Sequence, residues 1–421
     1  MRVPESLSLA FGKEFEDLIA TFGVEHKLIP EVSALQSPRF LARSVVPHIR
    51  KLSELFNRTG LEKKDQGASL DPYWKESSNP VHLRMTYFLY FMTSNLFRVA
   101  AVWAELARLG FRWSNPRFRA VEFGSGPASG ACGIAAGEKY APVGLPADGN
   151  WALIEQDKAV LKLGASWLKT YLASLGKGLE DWGIRTFHRK LEPTTGFLPK
   201  TAPKFDLWLM SYYMNEIDYP LEKLASQLID DWANHLEEEG LVIMVEPALK
   251  LQSRRILELR KEILLELERR KADWMQVLLP CLRHQACGAL ANPEDWCHEE
   301  VTWWRPPYFR MLDKMAGLDR KTLPFSYLVL VKSRRLREEI LPALTSSADK
   351  RHRLVSPAHK EGKEIEFFLC GQDGKRRTRY HPKDSSDPGA NINRGDILMD
   401  TEIRGDKNSS RAGKIGKILD E

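Results

Sequence analysis

The chain is poor in cysteine and has no long hydrophobic run. Five cysteines among 421 residues are too few, and an odd number, for a secreted disulfide scaffold. No stretch of about 18 uncharged apolar residues occurs, so we expect no membrane span. The N-terminus has four acidic residues among its first 17 positions and no apolar h-region, which is typical of neither a signal peptide nor a transit peptide. These absences predict a reducing compartment, a bacterial cytoplasm rather than a mitochondrial matrix.

The composition is that of a globular protein. Hydrophobic residues make up 43% of the chain and charged residues 28%, which excludes collagen-like, mucin-like and wholly disordered chains. The net charge is +6, and residues 331–421 hold 20 basic and 15 acidic residues, so most of the excess lies there. A basic excess indicates an anionic partner such as nucleic acid, although a solvated basic surface is the commoner explanation.

The hydrophobic pattern divides the chain into four segments. Residues 1–115 have apolar residues at helical spacing, clearest over 81–109, and residues 60–80 predict a loop. Residues 116–335 alternate short strands with helices, which is typical of a parallel α/β sheet. The predicted strands are 119–123, 151–155, 184–187, 205–210 and 241–245, followed by a helix over 253–276 and an antiparallel edge strand over 325–331. Residues 336–400 predict a small basic β region, and residues 401–421 a disordered tail.

A glycine-rich turn follows the first strand. The strand contains Glu122 and leads into Gly124-Ser125-Gly126-Pro127 and then Gly130. Glycines let the backbone approach a ligand closely, and the next helix presents free N–H groups. The third glycine is one position late for the dinucleotide fingerprint, and no Lys-Ser/Thr follows, which excludes a P-loop. Glu155 at the end of the second strand can accept hydrogen bonds from ribose hydroxyls.

This arrangement resembles the class I S-adenosylmethionine-dependent methyltransferases. The resemblance implies that the residues of the glycine turn hold the methionine portion of the cofactor and that Glu155 holds its ribose, with Asp157 as the nearby alternative. The residues implied for the turn are Glu122, Gly124, Ser125, Gly126, Pro127 and Gly130. Tyr212 and Asn215, after the fourth strand, are candidates near the methyl acceptor. The alternative is a tight turn in another α/β fold.

Four of the five cysteines predict a metal site. Cys281, Cys287 and Cys297 lie within 17 residues, in an insertion over 280–298, and Cys370 lies downstream. Thiolates suit zinc or an iron–sulfur cluster, and His284 or His298 can replace a thiolate at zinc. The alternative is a set of buried thiols that act as small apolar groups, which is the interpretation we favour for Cys132.

Together these motifs resemble the methyltransferase-like proteins of the small ribosomal subunit, over roughly residues 80–400. The specific part is the cysteine block with the strand that begins Phe325-Ser326-Tyr327. The resemblance implies a methyltransferase fold, S-adenosylmethionine binding, and a 4Fe–4S cluster on Cys281, Cys287, Cys297 and Cys370. It also implies a role on small-subunit ribosomal RNA (rRNA) and proteins during assembly. The chain departs from the family pattern at Leu282, Gly288 and Ala248.

A basic run beside Cys370 predicts RNA contact. Its cations can neutralise phosphates and Tyr380 can stack on a base, whereas the alternative is a solvated basic loop. The cations are Lys375, Arg376, Arg377 and Arg379. Three functions remain open: a methyltransferase acting on the small subunit, a non-catalytic assembly factor with a vestigial cofactor site, and a zinc-containing methyltransferase for a non-ribosomal substrate. We expect a monomer.

Overall fold

The computed structural model describes residues 1–57, 80–176, 179–191, 193–384, 387–406 and 410–419. The part before the first strand is helical, as the sequence predicts. Its helices are α1 Glu5–Leu9, α2 Lys13–Glu25, α3 Pro38–Ser44, α4 Val46–Asn57, α5 Pro80–Thr86 and α6 Thr93–Arg108. A π-helical segment, Tyr87–Met92, joins α5 to α6. The predicted loop over 60–80 lies almost wholly outside the described residues.

A mixed sheet forms the centre of the molecule. Five strands run parallel in the order β3-β2-β1-β4-β5, β8 pairs antiparallel with β5, and both β6 and β7 pair with β8. The strands are β1 Arg119–Phe123, β2 Asn150–Glu155, β3 Gly183–His188, β4 Phe205–Ser211, β5 Leu236–Pro247, β6 Met275–Leu279, β7 Glu299–Thr302 and β8 Thr322–Lys332. The strand order reverses between β1 and β4, as in a doubly wound sheet. With the antiparallel strand beside β5, this confirms the class I methyltransferase fold.

Helices bury both faces of this sheet. They are α7 Ser129–Tyr140, α8 Lys158–Ser174, α9 Leu221–His235, α10 Lys250–Arg269 and α11 Pro307–Ala316. Alternate residues of β4 enter opposite cores, with Leu207 and Leu209 on one side and Trp208 and Met210 on the other. The central strands therefore read as continuous apolar runs. None of the described helices has the length and apolar composition needed to cross a membrane.

Close packing of α7 on α6 sets the position of the glycine turn. A Cβ atom at Gly133 would lie 2.6 Å from Val99 Cβ, and one at Gly137 would lie 2.6 Å from Trp103 Cβ. Since these glycines are four residues apart, they share one face of α7. That face lies directly against α6, so the turn that precedes α7 is held beside the π-helical segment.

The sheet has a strand that the sequence pattern conceals. The predicted helix over 253–276 ends at Arg269, and β6 follows it. As a result β8, predicted as an edge strand, has β5 on one side and β6 on the other. A five-residue apolar run such as β6 continues the apolar spacing of the preceding helix, and periodicity alone cannot assign so short a run.

A second sheet occupies the C-terminal part of the chain, after the short helix α12 Arg337–Ile340. Its order is β14-β15-β12-β11-β9-β13-β16, and β10 pairs with β11. The strands are β9 His352–Leu354, β10 His359–Glu361, β11 Glu364–Gly371, β12 Gly374–Tyr380, β13 Ile397–Met399, β14 Glu402–Gly405, β15 Ser410–Lys414 and β16 Lys417–Ile418. The last three strands lie in residues 401–421, where the composition predicts a disordered tail. Ala412, Ile415 and Ile418 enter a local apolar core, which strands distant in sequence complete.

Candidate functional site

The carboxyl edge of the central sheet gathers the predicted cofactor residues. Strand β1 lies between β2 and β4, so the segments that follow these strands meet where the strand order reverses, the usual ligand position in an open α/β sheet. Residues 124–130 follow β1, Glu155 ends β2, and residues 212–216 follow β4. Glu246, near the end of β5, joins them.

The glycine turn has left-handed backbone at Gly124 (φ +60°) and Gly126 (φ +51°), a conformation that favours glycine. A Cβ atom at Gly124 would lie 2.4 Å from the ring of Tyr213. The absent side chain at this position therefore makes room for a tyrosine. A Cβ atom at Gly126 would lie 3.5 Å from Tyr87 Oη, so Tyr87 faces the turn. Ser125 N donates to the Ile154 carbonyl oxygen at 3.0 Å and ties the turn to β2.

Glu122 and Gly130 stabilise the glycine turn through buried contacts. The Glu122 carboxylate is fully buried, and its two oxygens accept hydrogen bonds from Gly130 N and Ala131 N, each at 3.0 Å. These are free N–H groups of the first turn of α7. A Cβ atom at position 130 would lie 2.4 Å from Glu122 Oε1. Glu122 therefore fixes the turn through these two hydrogen bonds, and Gly130 leaves room for the Glu122 carboxyl group.

Glu155 connects the end of β2 to the glycine turn. Its Oε2 accepts from Gly126 N at 3.0 Å, and its Oε1 accepts from the backbone N–H groups of Gln156 and Asp157. Asp157 instead caps α8, because its Oδ1 accepts from Ala159 N and Val160 N. Of the two predicted ribose ligands, Glu155 is thus the one that contacts the glycine turn.

Buried carboxyl groups make this edge electrostatically unusual. Burial raises the pKa of Glu122 to about 8 and that of Glu246 to about 8, and it also raises the pKa of Glu155. Burial, together with repulsion from Glu216, Glu155 and Glu122, raises the pKa of Tyr87. A cationic ligand would stabilise the ionised form of these carboxyl groups, so the edge suits a ligand with positive charge.

Several buried polar atoms at this edge lack a hydrogen-bond partner among the described residues. They are Ser125 Oγ, Ser211 Oγ, Asn215 Oδ1 and Glu246 Oε2. Buried polar groups are normally satisfied, and an orphaned group calls for an explanation such as a bound water or ligand. The four atoms come from the ends of β4 and β5 and from the segments that follow β1 and β4, which supports a ligand position at this edge.

The two candidates for the methyl-acceptor side lie in the segment after β4. Tyr212 has a left-handed backbone (φ +59°) and donates its N–H to the Val245 carbonyl oxygen at 2.7 Å. Burial raises the pKa of Tyr212 to about 12, although the Arg98 guanidinium, 5.8 Å from the ring centre, opposes this shift. Asn215 lies in a short 3₁₀ turn, Met214–Glu216, and Met214 N donates to Glu246 Oε1 at 2.7 Å.

Cys281 and Cys297 lie beside α10, and all four predicted metal ligands are near enough to one another to interact electrostatically. Burial, followed by repulsion from Cys281 and Cys287, raises the pKa of the Cys370 thiol to about 12. Burial and the other three thiols raise the pKa of Cys297. The fifth cysteine, Cys132, is buried in α7 in the apolar core, as predicted. Within the described part of the chain, no group of three or more His, Cys, Asp or Glu side chains is arranged to hold a metal ion.

The buried Arg260 and the half-buried Arg283 lie near these thiols. Arg260 is 1% exposed, donates to the carbonyl oxygens of Arg283 (2.8 Å) and Gln285 (3.0 Å), and pairs with no carboxylate among the described residues. Arg260 and Arg283 lower the pKa of Cys370, against the effect of burial. An uncompensated buried cation is costly, and thiolates or a negatively charged thiolate-bound group would compensate it.

The predicted RNA-binding residues lie on strand β12, and each pairs with a carboxylate. The four pairs are Lys375–Asp295 (2.6 Å), Arg376–Asp373 (2.7 Å), Arg377–Glu366 (2.7 Å) and Arg379–Glu366 (3.1 Å). Tyr380 is 6% exposed and donates its hydroxyl to Asp387, so it cannot stack on a base in this conformation. The sequence shows the cations but not the carboxylates that tertiary contacts bring to them.

Comparison with known families decides the assignment. A family model described as "Mitochondrial small ribosomal subunit Rsm22" matches residues 88–394, well over half of the chain. The chain belongs to the Rsm22 family. The match includes the glycine turn, Glu155 and all four clustered cysteines, and it agrees with the small-subunit resemblance in the sequence. No curated protein sequence matches the chain.

Solved structures similar to this Rsm22-family chain include several methyltransferases. The precorrin-6y C5,15-methyltransferase from Geobacter metallireducens is 14% identical and covers 56% of this chain and 89% of its own, with a TM-score of 0.30. The O-methyltransferase from Bacillus cereus is 10% identical, with coverages of 56% and 80% and a TM-score of 0.29. The mitomycin 7-O-methyltransferase MmcR is 12% identical, with coverages of 72% and 70% and a TM-score of 0.33. The fold assignment rests on the sheet order described above.

The sequence alone does not point to Tyr87, Tyr213 or Arg255 in this Rsm22-family site. Arg255, on α10, donates to the carbonyl oxygens of Met214 and Ile217 and so holds the segment after β4. Glu246 carries a signal that could have been used, because it stands near the end of β5 much as Glu122 and Glu155 stand near the ends of β1 and β2. No sequence signal marks Tyr87, because only the packing of α6 on α7 brings Tyr87 to the glycine turn.

Proposed function

We propose that this protein binds S-adenosylmethionine at the carboxyl edge of β1, β2 and β4 and acts on small-subunit rRNA during ribosome assembly. Membership of the Rsm22 family supports the ribosomal part, and the sheet order supports the cofactor part. The observation that carries the cofactor proposal is the 3.0 Å hydrogen bond from Gly126 N to Glu155 Oε2. It holds the acidic end of β2 against the glycine turn, where a ribose and a methionine portion would lie side by side.

The residues at this edge fit the cofactor in charge and in donor chemistry. S-adenosylmethionine carries a sulfonium and an ammonium group, and when bound it supplies an electrophilic methyl group. Glu155 would accept hydrogen bonds from the ribose hydroxyls, and the buried carboxyl group of Glu246 would favour the cationic portion. Arg255 would keep the Tyr212–Asn215 segment in place, where these two side chains would orient the acceptor.

Binding of S-adenosylmethionine to two isosteric variants tests this proposal. Glu155→Gln should weaken binding at least tenfold, because charge-assisted hydrogen bonds are worth about 1.5–3 kcal/mol. Asp157→Asn keeps the cap of α8 and should change the affinity less than about threefold. Isothermal titration calorimetry on the full chain measures both. Wild-type affinity in Glu155→Gln, or equal losses in the two variants, would contradict the assignment.

We also propose that Cys281, Cys287, Cys297 and Cys370 bind a 4Fe–4S cluster, with zinc as the alternative. Four thiols that interact electrostatically and the buried, unpaired Arg260 support a negatively charged thiolate-bound group. Cys370 lies on β11, opposite Lys375 of β12, whose ammonium group pairs with Asp295 of the cysteine segment. Because ligands drawn together by a metal couple binding to folding, the group would fasten the C-terminal sheet to the methyltransferase domain.

Metal analysis after anaerobic purification tests the cluster. About four irons per chain, with matching sulfide and visible absorption, are expected for thiolate ligation of this cluster. Cys370→Ser should lose them, and Cys132→Ala, which removes the cysteine in α7, should keep them. One zinc per chain in a colourless protein would favour the alternative, and the absence of metal from the wild-type protein would overturn both.

A non-catalytic assembly factor is the second candidate. The observation that favours it is the ring of Tyr213, which lies against Gly124, the first glycine of the turn. A single-turnover assay with labelled S-adenosylmethionine and immature small subunits separates the two candidates. Label in rRNA rejects the non-catalytic candidate, whereas cofactor binding without label in RNA or protein supports it.

The basic strand β12 supports a narrower RNA contact than the sequence predicts. Arg377 and Arg379 are about half exposed and share Glu366, so together they leave one positive charge uncompensated. We therefore propose that these two, rather than Lys375 and Arg376, contact rRNA phosphates. The compartment would be that of the ribosome concerned, and the family description names the mitochondrial one.

A further inference from the structure

A solvent-open cavity of about 440 Å³ lies at the end of β8. The opposite end of β8, where that strand begins, pairs with β7. The cavity is formed where the chain leaving β8 approaches the residues before β9 and the turn between β11 and β12. Its polar lining includes Gln276, His284, Arg334, Arg335, Arg337 and Arg351. We call this cavity the arginine groove. His284, a candidate zinc ligand, lines it, whereas the four clustered cysteines and the predicted cofactor and RNA residues do not.

Two of the four arginines are built into the wall of the groove. Arg337 is 7% exposed and Arg351 is 3% exposed, and the Nε atoms of both lack an acceptor among the described residues. Arg351 pairs with Glu338, whereas Arg337 donates to the Val277 carbonyl oxygen at 2.7 Å and has no carboxylate partner in the described chain. Charges held in a poorly solvated wall focus the electric field into the cleft they line.

The other two arginines are free to change partner. Arg334 is 65% exposed and pairs with Asp273 at 3.1 Å, and Arg335 is 49% exposed and pairs with Glu239 at 3.2 Å. Exposed ion pairs of this kind contribute little to stability, so replacing either carboxylate with another anion costs little free energy. Three carboxylates, those of Asp273, Glu239 and Glu338, pair with three of the four arginines, which leaves one positive charge in the groove.

We propose that the arginine groove binds the phosphate groups of a nucleotide ligand, supplied either by an RNA strand or by a free nucleotide. Guanidinium groups match phosphate oxygens in charge and in two-pronged geometry. The volume lies in the range of small-ligand sites and is open enough to admit a strand. This inference needs neither cofactor binding nor the metal site.

Two double variants of the full chain test the groove. Arg334→Gln/Arg335→Gln removes its exposed cations, and Arg404→Gln/Arg411→Gln removes two cations that are more exposed, from β14 and β15. The probes are a fluorescein-labelled 12-nucleotide single-stranded RNA, measured by anisotropy, and AMP, measured by calorimetry. S-adenosylmethionine affinity is measured in parallel and should be unchanged in both variants, which separates failure here from failure of the proposed function.

If the source is an RNA strand, the groove variant should bind the labelled RNA at least tenfold more weakly. Its slope of log K against log salt should fall by about 1.4, since each lost phosphate contact on a single strand contributes about 0.7. The control variant should stay within about twofold. If the source is a free nucleotide, AMP binding should show this same difference and RNA binding should not. Equal affinities of the two variants for both probes would overturn the proposal.

Discussion

Glu246 and Glu122 are buried carboxyl groups without an ion-pair partner among the described residues. Each lies near the end of a central strand and accepts backbone hydrogen bonds, Glu246 from Met214 and Glu122 from the first turn of α7. Burial outweighs these hydrogen bonds, so each pKa rises to about 8. The folded protein therefore holds protons at neutral pH that the unfolded chain releases.

Because the folded state holds protons that the unfolded state releases, we predict that the free energy of unfolding falls as pH rises. Between the pKa of an exposed glutamate, about 4.3, and about 8, the folded state binds the extra proton of Glu246. The free energy of unfolding then decreases with pH, by at most about 1.4 kcal/mol per pH unit for one group. Glu246→Gln keeps the acceptor for Met214 N and cannot ionise, so its stability should fall less steeply between pH 5 and 8.

Denaturant unfolding at pH 5.5, 6.5 and 7.5 measures these slopes. Glu222→Gln, on the exposed side of α9, serves as the control and should keep the wild-type slope. A slope in Glu246→Gln equal to that of the wild type would show that Glu246 is ionised throughout this range.

At position 130 of the glycine turn there is room only for the hydrogen atom that glycine carries in place of a side chain. An added methyl group would lie 2.4 Å from Glu122 Oε1 and 2.6 Å from Leu209 Cδ2. We expect Gly130→Ala to lower the free energy of unfolding by about 2 kcal/mol or more, because overpacking and strained hydrogen bonds add. It should also weaken S-adenosylmethionine binding.

Gly413→Ala is the matched control for this change. The nearest atom to its added methyl group would be 3.9 Å away, so we expect a change within about 0.5 kcal/mol. Chemical unfolding monitored by tryptophan fluorescence compares the two. Similar stabilities of the two alanine variants would show that Glu122 and Leu209 can move aside.

At the scale of an element, helix α10 connects the two candidate sites. Arg255 donates to backbone carbonyl oxygens within residues 214–219, beside the cofactor edge. Arg254 and Arg260 donate to carbonyl oxygens within residues 283–295, in the cysteine segment. One rigid helix thus holds both segments by charge-assisted hydrogen bonds.

Replacing Arg255 or Arg260 one at a time should affect the two candidate sites independently. Arg255→Met should weaken S-adenosylmethionine binding about tenfold, because the segment after β4 loses its support, and should leave the iron content unchanged. Arg260→Met should lower the iron content and leave cofactor affinity within about twofold. Calorimetry and iron analysis on the same preparations measure both. Loss of both properties in either variant would indicate that α10 itself is disrupted.

At the scale of the whole molecule, a buried charge cluster joins distant parts of the chain. Arg353 of β9 pairs with Glu105 of α6 at 2.7 Å and with Glu299 of β7 at 3.2 Å, and all three are at most 2% exposed. Burial alone would raise the pKa of Glu105, but Arg108 and Arg353 lower this pKa to about 2. The cluster therefore links the helical part, the central sheet and the C-terminal sheet.

Arg353→Met should destabilise the protein strongly. It leaves two buried carboxylates with less compensation, and breaking a buried pair from one side costs about 3–5 kcal/mol. Arg411→Met, which removes an exposed pair with Glu364, should cost less than about 1 kcal/mol. Thermal unfolding by calorimetry compares them. If the two variants proved equally stable, the cluster would not hold the sheets together.

The sequence was enough to locate the five parallel strands and the glycine turn. Strand β1 occupies the predicted residues 119–123, and β2 to β4 differ from prediction by one residue at either end. These strands are buried on both faces, so their apolar runs are continuous and stand out between polar helices. The family, too, was recognisable from short motifs in a fixed order.

Tertiary structure alone decided which neighbours each residue has. It inserted β6 beside β8, built three strands into residues 401–421, and paired the cations of β12 with carboxylates from other segments. It also set Tyr213 against Gly124 and brought Cys370 within electrostatic range of Cys281 and Cys287. Periodicity reports only which side of an element is apolar, over a few neighbouring residues. Contacts between residues far apart in sequence depend on how the whole chain packs, and both candidate sites are made of such contacts.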